Sequence, residues 1–181
     1  LRASKITLAG RPCGRPAVAH MGDRVMARKR DMVAVVRCAG GPAPDRCSEG
    51  CIGCGSCVAA CRMHAIELNE NGVAHVNREA CIGCGLCARM CEQHIIDIVP
   101  RHQRIQVLCS NHETGSAARA VCQVSCIACG ACERACTSDA VHVTDNLAVI
   151  SQEDCISCGM CASKCPRGVI HDAFGIIAKD F

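Results

Sequence analysis

The sequence predicts an α+β fold of two tandem modules, each made of short helices and short β-hairpins around a core dominated by cysteine sulfur. Three observations carry this expectation. Cysteine supplies 21 of 181 residues, Trp and Tyr are absent, and Phe occurs only at Phe174 and Phe181; an ordinary core in a chain of this length uses several aromatics. The spacing C-x2-C-x2-C-x3-C occurs four times, at Cys51-Cys54-Cys57-Cys61, Cys81-Cys84-Cys87-Cys91, Cys126-Cys129-Cys132-Cys136 and Cys155-Cys158-Cys161-Cys165. A β-branched run ending in cysteine precedes each pair of motifs, Met32–Arg37 before Cys38 and Ile105–Leu108 before Cys109. The chain therefore reads as an internal duplication.

The motif has a chemistry. C-x2-C-x2-C-x3-C is the thiolate run that holds cubane [4Fe–4S] clusters. Two-residue gaps let a tight loop curl until three thiolates converge on three corners of one cube, while the fourth cysteine points away towards a neighbouring cluster. One run is half of a two-cluster, bacterial-ferredoxin-like module, and two runs complete it. The expected ligand sets are crossed: Cys51, Cys54, Cys57 and Cys91; Cys81, Cys84, Cys87 and Cys61; Cys126, Cys129, Cys132 and Cys165; Cys155, Cys158, Cys161 and Cys136. Zinc sites pair C-x2-C with a second pair at a distance and do not need three cysteines at two-residue gaps. Disulfides suit small secreted scaffolds.

Taken in order, residues 1–31 form a basic N-terminal arm. Gly10–Pro16 is turn chemistry, and Val18–Arg30 reads as a short helix with a thin apolar face. The first module spans residues 32–103. It opens with the strand Met32–Arg37 and the Gly- and Pro-rich connector Ala39–Arg46; its two runs are joined by a hairpin in which Ala65–Leu68 and Val73–Val76 flank Asn69–Gly72, with Asn71-Gly72 as the turn signal. The second module spans residues 104–181 and includes a C-terminal tail. It opens with Ile105–Leu108, continues through a connector in which Thr114–Val121 is helical, and carries a hairpin of Ala140–Val143 and Leu147–Ile150. Each run closes in a helical turn followed by an aliphatic pair (Ala65-Ile66, Ile95-Ile96, Ala140-Val141, Val169-Ile170) placed to pack on a cluster. With so few aromatics the clusters stand in for much of the core, so folding is expected to depend on metal.

Charge is uneven. Residues 1–37 carry nine Lys or Arg against Asp23 and Asp31, and the remainder carries 11 basic and 15 acidic residues. Oxidised clusters add about −2 each, making the two modules strongly acidic. The Arg28-Lys29-Arg30 group reads either as a solvated run or as a docking element for an acidic partner or anionic headgroups. No aromatic residues interleave these cations as a single-strand binder requires, so nucleic acid is not an expected partner. No apolar run approaches the ~20 residues that span a bilayer. Thiolates that take up iron must stay reduced, which predicts the cytoplasm, with at most peripheral contact at the inner membrane.

Five cysteines lie outside the runs: Cys13, Cys38, Cys47, Cys109 and Cys122. By the duplication, Cys38 matches Cys109 and Cys47 matches Cys122. Four thiols at paired positions are what a closed site requires, and a fifth [4Fe–4S] cluster there is one expectation; buried free thiols are the other. Cys13 reads as unliganded. His64, His94 and His142 fall near the cluster loops and read as exposed or as hydrogen-bonding neighbours of clusters. So do the backbone amides of Arg62, Glu92 and Thr137, which stand where a proline commonly follows the fourth cysteine; only Cys165-Pro166 keeps it.

These residues resemble a family. VVRCAGG, CIGCGSCVAAC, CIGCGLCARMC, VLCSNHETGSAARAVCQVSCIACGACERAC and NLAVISQEDCISCGMCASKCP, in that order, look like the polyferredoxin part of the B subunit of the Rnf (Rsx) electron-transport complex. The similarity covers about residues 32–172, and the segment Cys109 to Gly130 is its most specific part. Members of that family usually begin with a transmembrane helix and a separate four-cysteine cluster domain, features this sequence does not carry. The resemblance implies a non-catalytic iron–sulfur subunit of an oxidoreductase complex, relaying low-potential electrons between ferredoxin and a flavin- and NAD-binding partner. No nucleophile–base pair, G-x-G-x-x-G fingerprint or Walker loop argues for a substrate site. A polyferredoxin subunit of a soluble hydrogenase, formate dehydrogenase or electron-bifurcating complex is the alternative, and an iron–sulfur redox sensor a more distant one.

Overall fold

The computed structural model describes residues 31–40 and 47–175. The expected Val18–Arg30 helix, the basic arm, Cys13 and most of the Gly- and Pro-rich connector lie outside these residues. The elements run β1 (Met32–Val36), α1 (Ser56–Ala60), β2 (Ile66–Leu68), β3 (Ala74–Val76), α2 (Leu86–Met90), β4 (Ile96–Pro100), β5 (Ile105–Val107), α3 (Gly115–Val121), α4 (Ala131–Arg134), β6 (Val141–Thr144), β7 (Leu147–Ile150), α5 (Met160–Lys164) and β8 (Ile170–Asp172).

Among the described residues the strands form four antiparallel ribbons of two strands each: β1 with β4, β2 with β3, β5 with β8, and β6 with β7. In each half the entering strand pairs with the leaving strand, so the half closes on itself, and a hairpin lies between the two cysteine runs. Val33 faces Val99, Ala34 faces Ile98 and Val36 faces Ile96; in the second half Ile105 faces Asp172 and Val107 faces Ile170. The ladder outlasts the strands, because Arg37 N–H reaches the Ile95 carbonyl at 2.7 Å and Leu108 N–H reaches that of Val169 at 2.8 Å.

The apolar run of β1 has a simple cause. Val33, Ala34, Val35 and Val36 are all buried, so both faces of the strand meet protein and alternation is not required. The hairpin turns follow local chemistry. The Asn69 side chain accepts from the amides of Asn71 (3.0 Å) and Val73 (2.9 Å), an Asx arrangement that pins the first turn. The second turn places Asp145 and Asn146 at φ 50° and 59°, the conformation a two-residue type I′ turn demands.

Two strands go beyond the sequence reading. Ile95-Ile96 and Val169-Ile170 are buried as expected, but Ile96 and Ile170 also begin β4 and β8. Their partners lie sixty or more residues away, so no local pattern announces the pairing. α3 matches its expected position, with Thr114 as the N-cap.

Two apolar clusters result, one built on Val33, Ala34, Ala65, Ile66, Ile95 and Ile96, the other on Ile105, Val107, Val141, Leu147, Val169 and Ile170. Cys57, Cys81 and Cys87 belong to the first, and Cys109, Cys126, Cys132, Cys161 and Cys165 to the second. At the edge of the second, Arg104 grips the fully buried Asp172 with two bonds, Nε to Oδ1 at 2.7 Å and Nη2 to Oδ2 at 2.6 Å.

Candidate metal centres

The cysteine runs share one backbone path. Each uses three left-handed residues at equivalent places. Between the first and second cysteines these are Gly53, Gly83, Ala128 and Ser157; after the second, Gly55, Gly85, Gly130 and Gly159; three residues past the fourth, His64, His94, Asp139 and Gly168. The middle set N-caps α1, α2, α4 and α5 with φ between 68° and 78°. The reversal curls the first three cysteines of a run towards one side and starts a helix of a turn or so, on which the third cysteine faces inward. Cys57, Cys87, Cys132 and Cys161 are accordingly buried. His64 and His94 thus have a structural role: each closes a turn onto the carbonyl of the fourth cysteine, His64 N–H to Cys61 and His94 N–H to Cys91, both at 3.1 Å. Gly168 occupies the same place in the last run, which is the one sequence signal that this position needs a left-handed backbone.

Among the described residues, four cavities each have four cysteines in their walls. One of about 370 Å³ has Cys51, Cys54, Cys57 and Cys91 in its wall. One of about 310 Å³ has Cys61, Cys81, Cys84 and Cys87. Another of about 310 Å³ has Cys126, Cys129, Cys132 and Cys165. The last, of about 370 Å³, has Cys38, Cys47, Cys109 and Cys122. Three of the crossed sets thus each surround one cavity. For the remaining set, Cys161 has Cys155, Cys132 and Cys136 as its thiol neighbours, and Cys158 sits exposed on its loop. The same neighbour pattern recurs in every run: Cys57 beside Cys51 and Cys91, Cys87 beside Cys81 and Cys61, Cys132 beside Cys126 and Cys165.

The surroundings suit sulfur. Ala65 N–H reaches Cys61 Sγ at 3.3 Å and Ala140 N–H reaches Cys136 Sγ at 3.2 Å; Ala34 N–H reaches Cys81 Sγ at 3.4 Å. Cys61 Sγ thus takes the Ala65 amide, and Cys136 Sγ the amides of Ala140, Ser138 and Val141, all further along than the Arg62 and Thr137 the sequence singles out. Ile52, Ile82 and Ile127, each directly after a first cysteine, line the cavities and leave a thin apolar wall between sulfur and solvent. Burial pushes the Cys87, Cys132 and Cys161 thiols up to about 11, so at neutral pH the metal-free thiols keep their protons and metal uptake must release them. Among the described residues no three His, Cys, Asp or Glu close around a single metal ion; the sulfurs ring cavities instead. Four-thiol walls with amide donors fit a [4Fe–4S] cube.

Sequence reasoning missed the arginines that tie the runs to the strands. Arg101 donates to the Cys81 carbonyl at 2.5 Å and also to that of Arg78. Arg78 in turn reaches the carbonyls of Arg101 and Gln103 and lies 5.9 Å from the Phe174 ring centre. Arg167, just past the last run, donates to the Cys122 carbonyl at 2.7 Å and to that of Ser125 at 3.3 Å. An arginine after Pro166 carries no local cue for this; it is bonded across the fold.

A duplicated ferredoxin-like architecture with cysteine-lined cavities defines a polycluster iron–sulfur protein. The chain belongs to the 4Fe-4S dicluster domain family, whose model matches residues 50–95, 80–140 and 125–169. The middle match frames the second and third runs together, whereas the structure packs α1 on α2 and α4 on α5. Three curated relatives, each the B subunit of its complex, are similar to this chain. That of the ion-translocating oxidoreductase complex of Methanosarcina acetivorans is 40% identical over 59% of this chain and 40% of its own length. That of the proton-translocating ferredoxin:NAD(+) oxidoreductase complex of Clostridium ljungdahlii is 41% identical over 83% and 56%. That of the Na(+)-translocating ferredoxin:NAD(+) oxidoreductase complex of Acetobacterium woodii is 42% identical over 59% and 32%. The chain thus spans about half or less of the length of the curated relatives it matches. The resemblance to the Rnf B subunit holds, and the family carries multiple [4Fe–4S] clusters. A solved formate dehydrogenase–heterodisulfide reductase–formylmethanofuran dehydrogenase complex from Methanospirillum hungatei overlaps 67% of this chain and 51% of its own at 18% identity and a TM-score of 0.27, a likeness too low to bear on function. No described helix is long and apolar enough to cross a membrane.

Proposed function

We propose that this chain is an iron–sulfur electron-transfer subunit that relays low-potential electrons through four crossed-ligand [4Fe–4S] clusters. The ligand sets are Cys51, Cys54, Cys57 and Cys91; Cys81, Cys84, Cys87 and Cys61; Cys126, Cys129, Cys132 and Cys165; Cys155, Cys158, Cys161 and Cys136. The observation that carries the reading is the recurrence, in all four runs, of a buried third cysteine beside the first cysteine of its own run and the fourth of its partner run.

When bound, such clusters supply one-electron redox chemistry at potentials set by hydrogen bonding and exposure. The rest is the protein's work. The left-handed loops hold the sulfurs in place, the Ala65 and Ala140 amides stabilise thiolate charge, and the half-exposed isoleucines keep water off while leaving the edges close to a docking partner. By similarity to the relatives, ferredoxin is the proposed donor or acceptor, a flavin- and NAD-binding subunit the other partner, and the cytoplasmic side of a membrane complex the proposed location.

The test is anaerobic mixing of the oxidised chain with a reduced low-potential ferredoxin. Bleaching of the chain's visible absorbance, with matching reoxidation of the ferredoxin, is the expected result. A chain that carries iron yet exchanges no electrons with ferredoxin would overturn the proposed role.

A further inference from the structure

Resting on that reading of the sixteen motif cysteines, we propose that Cys38, Cys47, Cys109 and Cys122 hold one more [4Fe–4S] cluster, at the junction of the two halves. Each half contributes two of the four cysteines, at positions equivalent by the duplication, and all four line one cavity of about 370 Å³, the same size as the cavity of the first motif quartet. Free buried thiols need no common cavity; these four share one.

The donors around it repeat by the same symmetry. Cys38 accepts from the backbone amides of Cys51 and Gly40. Cys109 accepts from those of Cys126, at 3.4 Å, and Asn111. Each half thus aims the amide of its first motif cysteine at the junction sulfur. The Asn111 side chain adds a donor, Nδ2 to Cys47 Sγ at 3.7 Å. These are the contacts that stabilise a thiolate.

The junction is fastened from several directions. Ser110 Oγ donates to the carbonyls of Arg37 and Glu49, and Arg167 fixes the Cys122 carbonyl. Zinc is the rival occupant for four thiolates. The consequence is a route. Cys38 is bonded to the first run through Cys51, and Cys109 to the third through Cys126, so a cluster here would bridge the two modules and pass single electrons between them.

The experiment is metal and sulfide analysis of the full chain, purified anaerobically, beside the double variant Cys38→Ala, Cys109→Ala. About twenty irons and twenty sulfides per wild-type chain, falling to about sixteen in the variant, is the expected result. About sixteen irons in the wild type, or about sixteen with one zinc, overturns the proposal while leaving the four motif clusters standing. Failure of the underlying reading would show differently, as little or no iron in either protein. Should the variant not fold, the wild-type count alone decides between the outcomes.

Discussion

At Gly83 the backbone is left-handed, at φ +65°, and a Cβ there would stand 2.5 Å from Met32 Cβ and 2.7 Å from the Met32 carbonyl carbon. The second cysteine loop thus packs directly on β1. Gly83→Ala is predicted to cost about 1–2 kcal/mol from the left-handed backbone alone, with the contact adding to it, and to speed bleaching in guanidinium; an unchanged rate would contradict the packing argument. The crossed ligation makes a second prediction at this scale. Cys91→Ala should disturb the cluster of the first run rather than that of its own, so the magnetic signal lost on Cys91→Ala should match that lost on Cys57→Ala and differ from that lost on Cys87→Ala. If Cys91→Ala and Cys87→Ala remove the same signal, the crossing is wrong. The sixteen cysteines were legible at sight because thiolate spacing is written locally. The roles of His64, His94 and Arg101 were not: two turn on a backbone angle and the third on contacts with carbonyls from another part of the chain.

Among the elements, β5 is three residues long and wholly buried, with Ile105 only 1% exposed. Removing most of that side chain should destabilise the second half by about 2–5 kcal/mol. Ile105→Ala is therefore predicted to lose the clusters of residues 126–165 before those of residues 51–91 as denaturant rises, seen as biphasic bleaching where the wild type is closer to single-phase. Loss of all clusters together would show that the halves are not separate folding units. Arg104→Ala should act in the same direction, by stripping the guanidinium from buried Asp172. Hairpins and α3 were readable because turn residues and caps are local signals. β4 and β8 were not, since Ile95–Pro100 and Val169–Asp172 read equally well as apolar cover for a cluster until β1 and β5 are known to lie beside them.

At the scale of the molecule, the described residues form two small cores of Val, Ile, Leu, Ala and Cys, with cavities where a larger protein would place aromatics. Such cores are marginal alone, so iron is expected to contribute folding energy directly. Stripping the metal by anaerobic chelation should abolish most of the far-UV circular dichroism, and a metal-free chain that keeps its spectrum would contradict this. The duplication was visible in the sequence because the cysteine spacings repeat; the meeting of Cys38, Cys47, Cys109 and Cys122 was foreseeable only as a consequence of how two such halves would pack. The central claim is that paired cysteine loops cage redox-active cubes along this chain. Electron paramagnetic resonance of the anaerobic protein, titrated with dithionite, tests it most directly. The account predicts signals from interacting reduced [4Fe–4S] clusters appearing stepwise in a protein holding about sixteen irons or more. A protein that stays silent on reduction, or whose metal is zinc, would contradict it.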